Sequence, residues 1–398
     1  MIHRAAKSSL VPSDIRETVL RLTCLLPFLV PFSLGQNIDL QSIILILIGA
    51  VAWYNIWLGR KAKSRLPLAV VTCVVIYVGC CALNLLTHPS FDTFFGTTMF
   101  RLGIPGLVAC IGCGLALQGI QAKRLLVWLY ATCVLLAATT IPYTLWTAGH
   151  ISRPGGVFHQ ADFLGVWMGC GLILGCGLWQ AYPAVRRWLI PPQILLVSIM
   201  ALSQTRAVLV LLPIVGLVMI AQIQTSWQRR IALAGSMILV ITLAVLSLAQ
   251  LFPNNRVTDT AYSSESIQYR LSLQSFGAKA SLHRPVLGFG AGNVSTALAC
   301  LTLHNAALQK TCHEGHYFDS SHNIFLDRFI ALGWVGGAAF LLFVALSLLK
   351  GLRRLDMERY FVYCALLLSL YYCTNVTSVS IELLLWVCLW RAWVKHEV

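Results

Sequence analysis

Long apolar runs succeed one another along nearly the whole chain, with only a few polar residues in most of the connectors between them. A helix needs about 20 apolar residues to cross the hydrocarbon core of a bilayer. Measured that way, the pattern predicts about twelve spans, near residues 17–35, 39–58, 66–86, 96–118, 124–147, 161–180, 188–204, 206–223, 231–252, 323–349, 359–378 and 381–394. The seventh and eighth are parted only by Ser203-Gln204-Thr205, and the last is short. One hydrophilic stretch breaks the rhythm. Residues 253–321 form a long loop between the ninth and tenth spans, ending in Ser321-His322-Asn323 where apolar sequence resumes. Inside it, Ser264 to Leu282 predicts an amphipathic helix, with Ile267, Leu271, Phe276 and Ala280 near one face and Arg270 and Lys279 elsewhere. Pro285-Val286-Leu287-Gly288-Phe289-Gly290-Ala291-Gly292 follows, with glycines that permit tight turns and apolar residues suited to seating against the membrane domain. As a phosphate-binding loop this glycine run is weak, since it follows no strand and lacks a Walker lysine. The expected fold is all-α and polytopic, a single integral membrane domain over residues 1–398 with one long inserted loop containing short helices.

Composition supports that picture. The chain is 58% apolar with a mean hydropathy of +0.76, against about 45–50% apolar for soluble domains. A formal charge of +15 invites a nucleic-acid reading, but its distribution argues otherwise. Basic residues occupy alternate connectors: Arg4 and Lys7, Arg60 to Arg65, Lys123-Arg124, Arg186-Arg187, Arg229-Arg230, Lys350 with Arg353-Arg354, and Lys395. The positive-inside bias then puts both termini in the cytoplasm and the 253–321 loop outside. No nucleic-acid partner is expected. The basic start leads into an apolar stretch holding Pro27 and Pro31 that is long for a cleaved leader, so it reads as a signal anchor.

Most of the fourteen cysteines lie inside predicted spans, where a free thiol packs as a small hydrophobe. Cys300 and Cys312 are the only two in the outer loop, and an oxidising compartment predicts a disulfide between them. His313-Glu314-Gly315-His316 lacks the H-E-x-x-H spacing, so no metal is expected there. Positive charge on the outer side is what the topology rule discourages, and four arginines defy it: Arg153, Arg206, Arg270 and Arg284. Guanidinium forks match phosphate oxygens in a bidentate way, so their convergence would make an anion site. The plainer alternative is that each snorkels to lipid phosphates. His322 stands at the mouth of a span, where an imidazole of pKa near 6.5 is the side chain most easily recruited as a base; its bland alternative is capping or packing. Ser321 and Asn323 both suit an N-cap. Asp162, Asp319 and Asp327 are near enough in sequence to orient a histidine or an arginine.

Four stretches resemble the bacterial O-antigen ligase and O-antigen polymerase superfamily. They are Arg153-Pro154-Gly155-Gly156-Val157-Phe158, Ser203-Gln204-Thr205-Arg206-Ala207, Arg270 with Arg284-Pro285-Val286-Leu287-Gly288-Phe289-Gly290, and Ser321-His322-Asn323-Ile324-Phe325-Leu326 followed by Ala331 to Gly336. His159-Gln160-Ala161-Asp162 departs from the proline-asparagine pair that relatives often carry, which weakens the role of that segment. The resemblance implies a GT-C-type membrane glycosyltransferase that moves a glycan from undecaprenyl pyrophosphate to an acceptor at the periplasmic face, with inversion and with no metal or other cofactor. It casts His322 as the base, Arg206 and Arg270 as pyrophosphate-binding residues with Arg153 as a third, and Arg284, Asn323 and Asp319 as supporting residues. The compact C-terminus, the single outer loop and the histidine-asparagine motif favour a ligase acting on lipid A–core. An O-antigen polymerase, or a protein O-oligosaccharyltransferase of the same superfamily, differs only in acceptor. From another class, a transporter of lipid-linked anions would use the same arginines along a passage, but should carry ionisable groups near the midplane.

Overall fold

Twelve α-helices account for most of the residues that the computed structural model describes, namely 13–29, 40–58, 66–87, 104–148, 154–158, 160–222, 260–290, 320–375, 378–394 and a few isolated positions. They are α1 (Ser13–Leu25), α2 (Leu40–Leu58), α3 (Leu68–Thr87), α4 (Ile104–Leu117), α5 (Ala122–Ala148), α6 (Ala161–Ala181), α7 (Arg186–Leu202), α8 (Arg206–Ala221), α9 (Thr260–His283), α10 (Ile324–Gly351), α11 (Arg359–Tyr372) and α12 (Val379–Arg391). Among the described residues there is no strand. Among the described residues, five helices are long and apolar enough to cross a membrane: α3, α5, α6, α7 with its leading turn, and α10. Helices α2, α4 and α8 are apolar but shorter. The all-helical membrane class is as the hydropathy pattern predicts. The ninth expected span, 231–252, falls almost wholly outside the described residues, so twelve crossings stay an expectation.

Why these elements pack as they do follows from which faces are apolar. Helices α11 and α12 are buried around almost their whole circumference, the mark of a bundle's central elements. Tyr371, Tyr372, Trp386 and Trp390 are therefore interior residues. Trp386 and Trp390 stack against Phe343 of α10 at 5.1 and 4.9 Å between ring centroids. Small residues let backbones close up elsewhere. A Cβ on Gly49 would sit 2.2 Å from that of Ala109, which is how α2 and α4 approach so closely.

Charged side chains segregate to the two ends. At one end, Arg391 lies fully buried, ion-paired with Glu358 and donating to the carbonyls of Leu117, Gln118 and Ile120 at the close of α4. Arg354 holds Asp356 and the carbonyls of Ala392 and Val394, while Arg359 reaches Gln180. Arg186 caps its neighbour's end at Trp179. Removing one member of a buried pair strands the other's charge, at about 3–5 kcal/mol. Glu358→Ala should therefore lower the melting temperature of the purified protein sharply, and an unchanged melt would show that Arg391 finds another partner.

Candidate functional site

The opposite end is organised by the turn that launches α10. Asn323, not Ser321, is the N-cap: its Oδ1 accepts from Leu326 N at 3.1 Å. Ser321 instead braces the turn, its Oγ donating to Asn323 O at 3.0 Å. Asp327, one turn inside the helix, reaches back to accept from Ser320 Oγ (2.6 Å) and Ser321 N (2.9 Å). His322 N donates to Ser320 Oγ at 3.0 Å. These bonds hold His322 at φ 54°, a left-handed conformation that costs a non-glycine residue about 1–2 kcal/mol. The turn tolerates that cost because five hydrogen bonds define it on both sides of the histidine.

The imidazole points into a partly dry site. It meets Tyr269 of α9 edge-to-face, 6.2 Å between ring centroids. Its Nδ1 is buried and has no hydrogen-bond partner among the described residues. Burial and then the positive charge of Arg270 push its pKa below the ordinary value of 6.5, while Asp327 and Asp162 pull the other way. The shift favours the neutral ring, the form that can take a proton.

Arg270 reaches this place because α9 lies on a different face from the one its large apolar residues suggest. The sequence pattern groups Ile267, Leu271, Phe276 and Ala280; in the structure Ile267 and Leu271 are exposed, 57% and 61%. Ala280 is packed as grouped and Phe276 is half-buried against the core, but the packed face also takes in Leu273, Gly277 and Ser281, with half-buried Arg270 one turn before Leu273. The reason is steric. A Cβ at Gly277 would lie 2.8 Å from Leu326 Cδ2 and 2.9 Å from Ser321 Cβ, so the small residues face α10 and bring the two backbones together.

The chain after α9 is bonded into a break in α10. Gly333, at φ 71° and ψ 179°, interrupts the helix, and Trp334 N donates to Pro285 O at 2.6 Å. Phe289 N and Gly290 N donate to Ile330 O and Ala331 O at 2.9 and 3.0 Å. Asn84 of α3, fully buried, donates to both Leu287 O (3.0 Å) and Ala331 O (3.1 Å). Backbone groups freed by the break are thereby satisfied, as the membrane interior demands. Arg284 stays exposed at the start of this segment, its guanidinium 4.9 Å from the Phe289 ring centre.

Arg206 opens α8 after a tight corner in which Gln204 is left-handed, φ 52°. Thr205 Oγ1 donates to Ala161 O at 2.9 Å and contacts Ser203 Oγ at 2.9 Å, pinning the corner to the start of α6. Asp162, next to Ala161, is one of the two acids whose charge His322 feels. Half-buried Arg206, Asp162, Arg270 and His322 therefore share one end of the bundle. Arg153, Asp319, Cys300 and Cys312 lie outside the described residues, as does the His313–His316 run. Among the described residues no three His, Cys, Asp or Glu side chains gather as a cation-binding group.

The sequence reading passed over one polar constellation beneath this turn. Arg328, the residue after Asp327, forms a 2.9 Å ion pair with fully buried Glu382 of α12. Tyr372 Oη and Trp386 Nε1 each donate to that carboxylate at 3.1 Å. An ionisable residue inside an apolar run was the available signal, at both positions. In comparisons with known proteins, residues 193–341 match the family model described as O-Antigen ligase. That segment contains Arg206, Arg270, Arg284, His322 and Asn323, and stops short of Arg153 and Asp162. No curated protein matches the chain.

Proposed function

We propose that this chain is an O-antigen ligase, a membrane glycosyltransferase, a reading supported by the match of residues 193–341 to the O-antigen ligase family model. In this reading it moves a glycan from undecaprenyl pyrophosphate to lipid A–core at the periplasmic face of the inner membrane, on a GT-C-type scaffold. The observation that carries it is a half-buried imidazole whose Nδ1 has no hydrogen-bond partner among the described residues, lying in the field of Arg270 at the same end of the bundle as Arg206. The basic cluster around Arg354 and Arg391 occupies the other end, which agrees with a periplasmic His322 by the positive-inside bias.

Chemistry follows from that arrangement. His322 accepts the proton of an acceptor sugar hydroxyl as its oxygen attacks the anomeric carbon. The carbon–oxygen bond to the pyrophosphate breaks, and its electron pair leaves on the phosphate oxygen. Attack opposite the leaving group inverts the anomeric centre. Arg270 and Arg206 hold the pyrophosphate and stabilise the charge that grows on it, with Arg153 as a third cation. Arg284 and Asn323 support the site from the hinge segment and the helix cap. Arg270 and His322 also stand in a useful order: one lowers the proton affinity of the other until an anionic donor arrives between them.

Two experiments test this. Protein reconstituted with lipid-linked glycan and lipid A–core should release undecaprenyl pyrophosphate and yield heavier lipopolysaccharide. In a deletion strain, a bare core with intact lipid-linked polymer supports a ligase, whereas single capped repeats would assign a polymerase. Arg270→Ala should cut turnover by about 10²–10³-fold, the usual loss for one charge-stabilising donor. Arg270→Lys should recover part of it, because the charge returns without the fork. Full activity in Arg270→Ala would remove this residue from the donor site.

A further inference from the structure

We propose that the groove between the start of α3 and the ends of α10 and α12 binds the headgroup of an anionic phospholipid. It lies at the end of the bundle opposite His322 and has a volume of about 1310 Å³. Its walls include Pro67, Leu346, Leu349, Lys350, Arg353 and Trp393. Charge accounting gives the ligand's sign. Both acids nearby are already taken: Asp356 accepts from Arg354 Nε and Nη2 at 3.0 and 2.6 Å, and Glu358 is paired with Arg391. Arg354 spends its remaining donors on the carbonyls of Ala392 and Val394. Lys350 and Arg353 are exposed and form no ion pair among the described residues. Among the described residues, two positive charges therefore face the groove with no acid paired to them.

Lys350 is also held in place. Its ammonium sits 4.2 Å from the Trp393 ring centre, and Trp393 Nε1 is anchored on Ser347 Oγ at 2.8 Å. A ring face steadies a cation without neutralising it, so the charge stays available to a phosphate. The rest of the ligand is given by Leu349 and Leu355, 61% and 58% exposed on the same walls. Exposed leucines flanking a cationic groove at a helix end fit a molecule with an anionic head and an apolar tail. A soluble anion would have no use for them. Basic grooves between helices at the cytoplasmic boundary are where such headgroups bind.

The test uses the full-length protein in detergent and in nanodiscs, and no glycan transfer is measured, so its outcome is independent of the reaction proposed above. Native mass spectrometry after delipidation should find phosphatidylglycerol retained over phosphatidylcholine, and phosphatidylglycerol should raise the melting temperature saturably. Lys350→Gln/Arg353→Gln should weaken that retention by about thirtyfold, from roughly 1 kcal/mol per interfacial cation. Both residues are exposed, so the double variant should fold; its melt without added lipid checks this. Arg186→Gln/Arg187→Gln, which removes two cations from the same end but outside the groove, should leave retention unchanged. Equal loss in that control pair, equal retention of the two lipids, or full competition by inorganic phosphate would each overturn the proposal.

Discussion

His322→Ala is expected to abolish glycan transfer while the protein still inserts, folds and accumulates normally. A positioned general base contributes about 10²–10⁴-fold. The side chain makes no hydrogen bond that supports α10; that work belongs to Asn323, Ser321 and Asp327. Relief of the left-handed strain is not expected, since alanine resists that conformation too. The pH dependence gives a second check. His322 has its pKa lowered below 6.5, and it acts unprotonated, so activity should be flat near neutrality and fall as pH drops through that lowered value. Replacing Arg270 by Gln removes a charge that disfavours protonation, which should move the acidic limb toward higher pH. Normal turnover in His322→Ala, or an acidic limb unmoved by Arg270→Gln, would count against the base assignment.

The largest structural effect is expected at Gly333. Its φ 71° and ψ 179° belong to a region essentially reserved for glycine, with strain of about 1–3 kcal/mol for other residues. A Cβ there would lie 2.2 Å from Val286 O and 2.5 Å from Val286 C, atoms of a backbone that is itself hydrogen-bonded across the break. Gly333→Ala must push the 285–290 segment away and lose several of those bonds, for roughly 3–5 kcal/mol in all. Since that segment anchors the end of α9, Arg270 would move with it and transfer would fall as well. Gly288→Ala should behave similarly, its Cβ meeting Ala331 O at 2.4 Å. Gly79→Ala on α3 is the control, with nothing within 4 Å and a helix that alanine favours. A Gly333→Ala protein that melts with the wild type would show that the break does not hold the loop.

Much of the site's raw material is visible along the chain. The Ser203-Gln204-Thr205 parting of two helices, the helix inside the loop, and the start of α10 at Asn323 all appear where local pattern places them. These are short-range features: a corner, a periodic stretch, a cap. The orientation of α9 was not legible, because counting large apolar residues assumes that they seek the packed face. Ile267 and Leu271 are exposed nonetheless, and the close approach to α10 selects the side that carries Leu273 and Gly277 beside Ala280. The break at Gly333 was hidden for a related reason. Nothing in a 27-residue apolar run reveals that Pro285, nearly fifty residues earlier, supplies the carbonyl that Trp334 needs.

The sequence by itself determined the class, an all-helical membrane chain, because hydropathy acts residue by residue. Tertiary structure alone decided which cations meet the histidine, and that Arg328, Glu382 and Asn84 brace them from within. Those pairings join residues 54 to 247 positions apart. Each depends on helices approaching closely enough for one side chain to satisfy another away from water, a condition set by packing rather than by any local pattern.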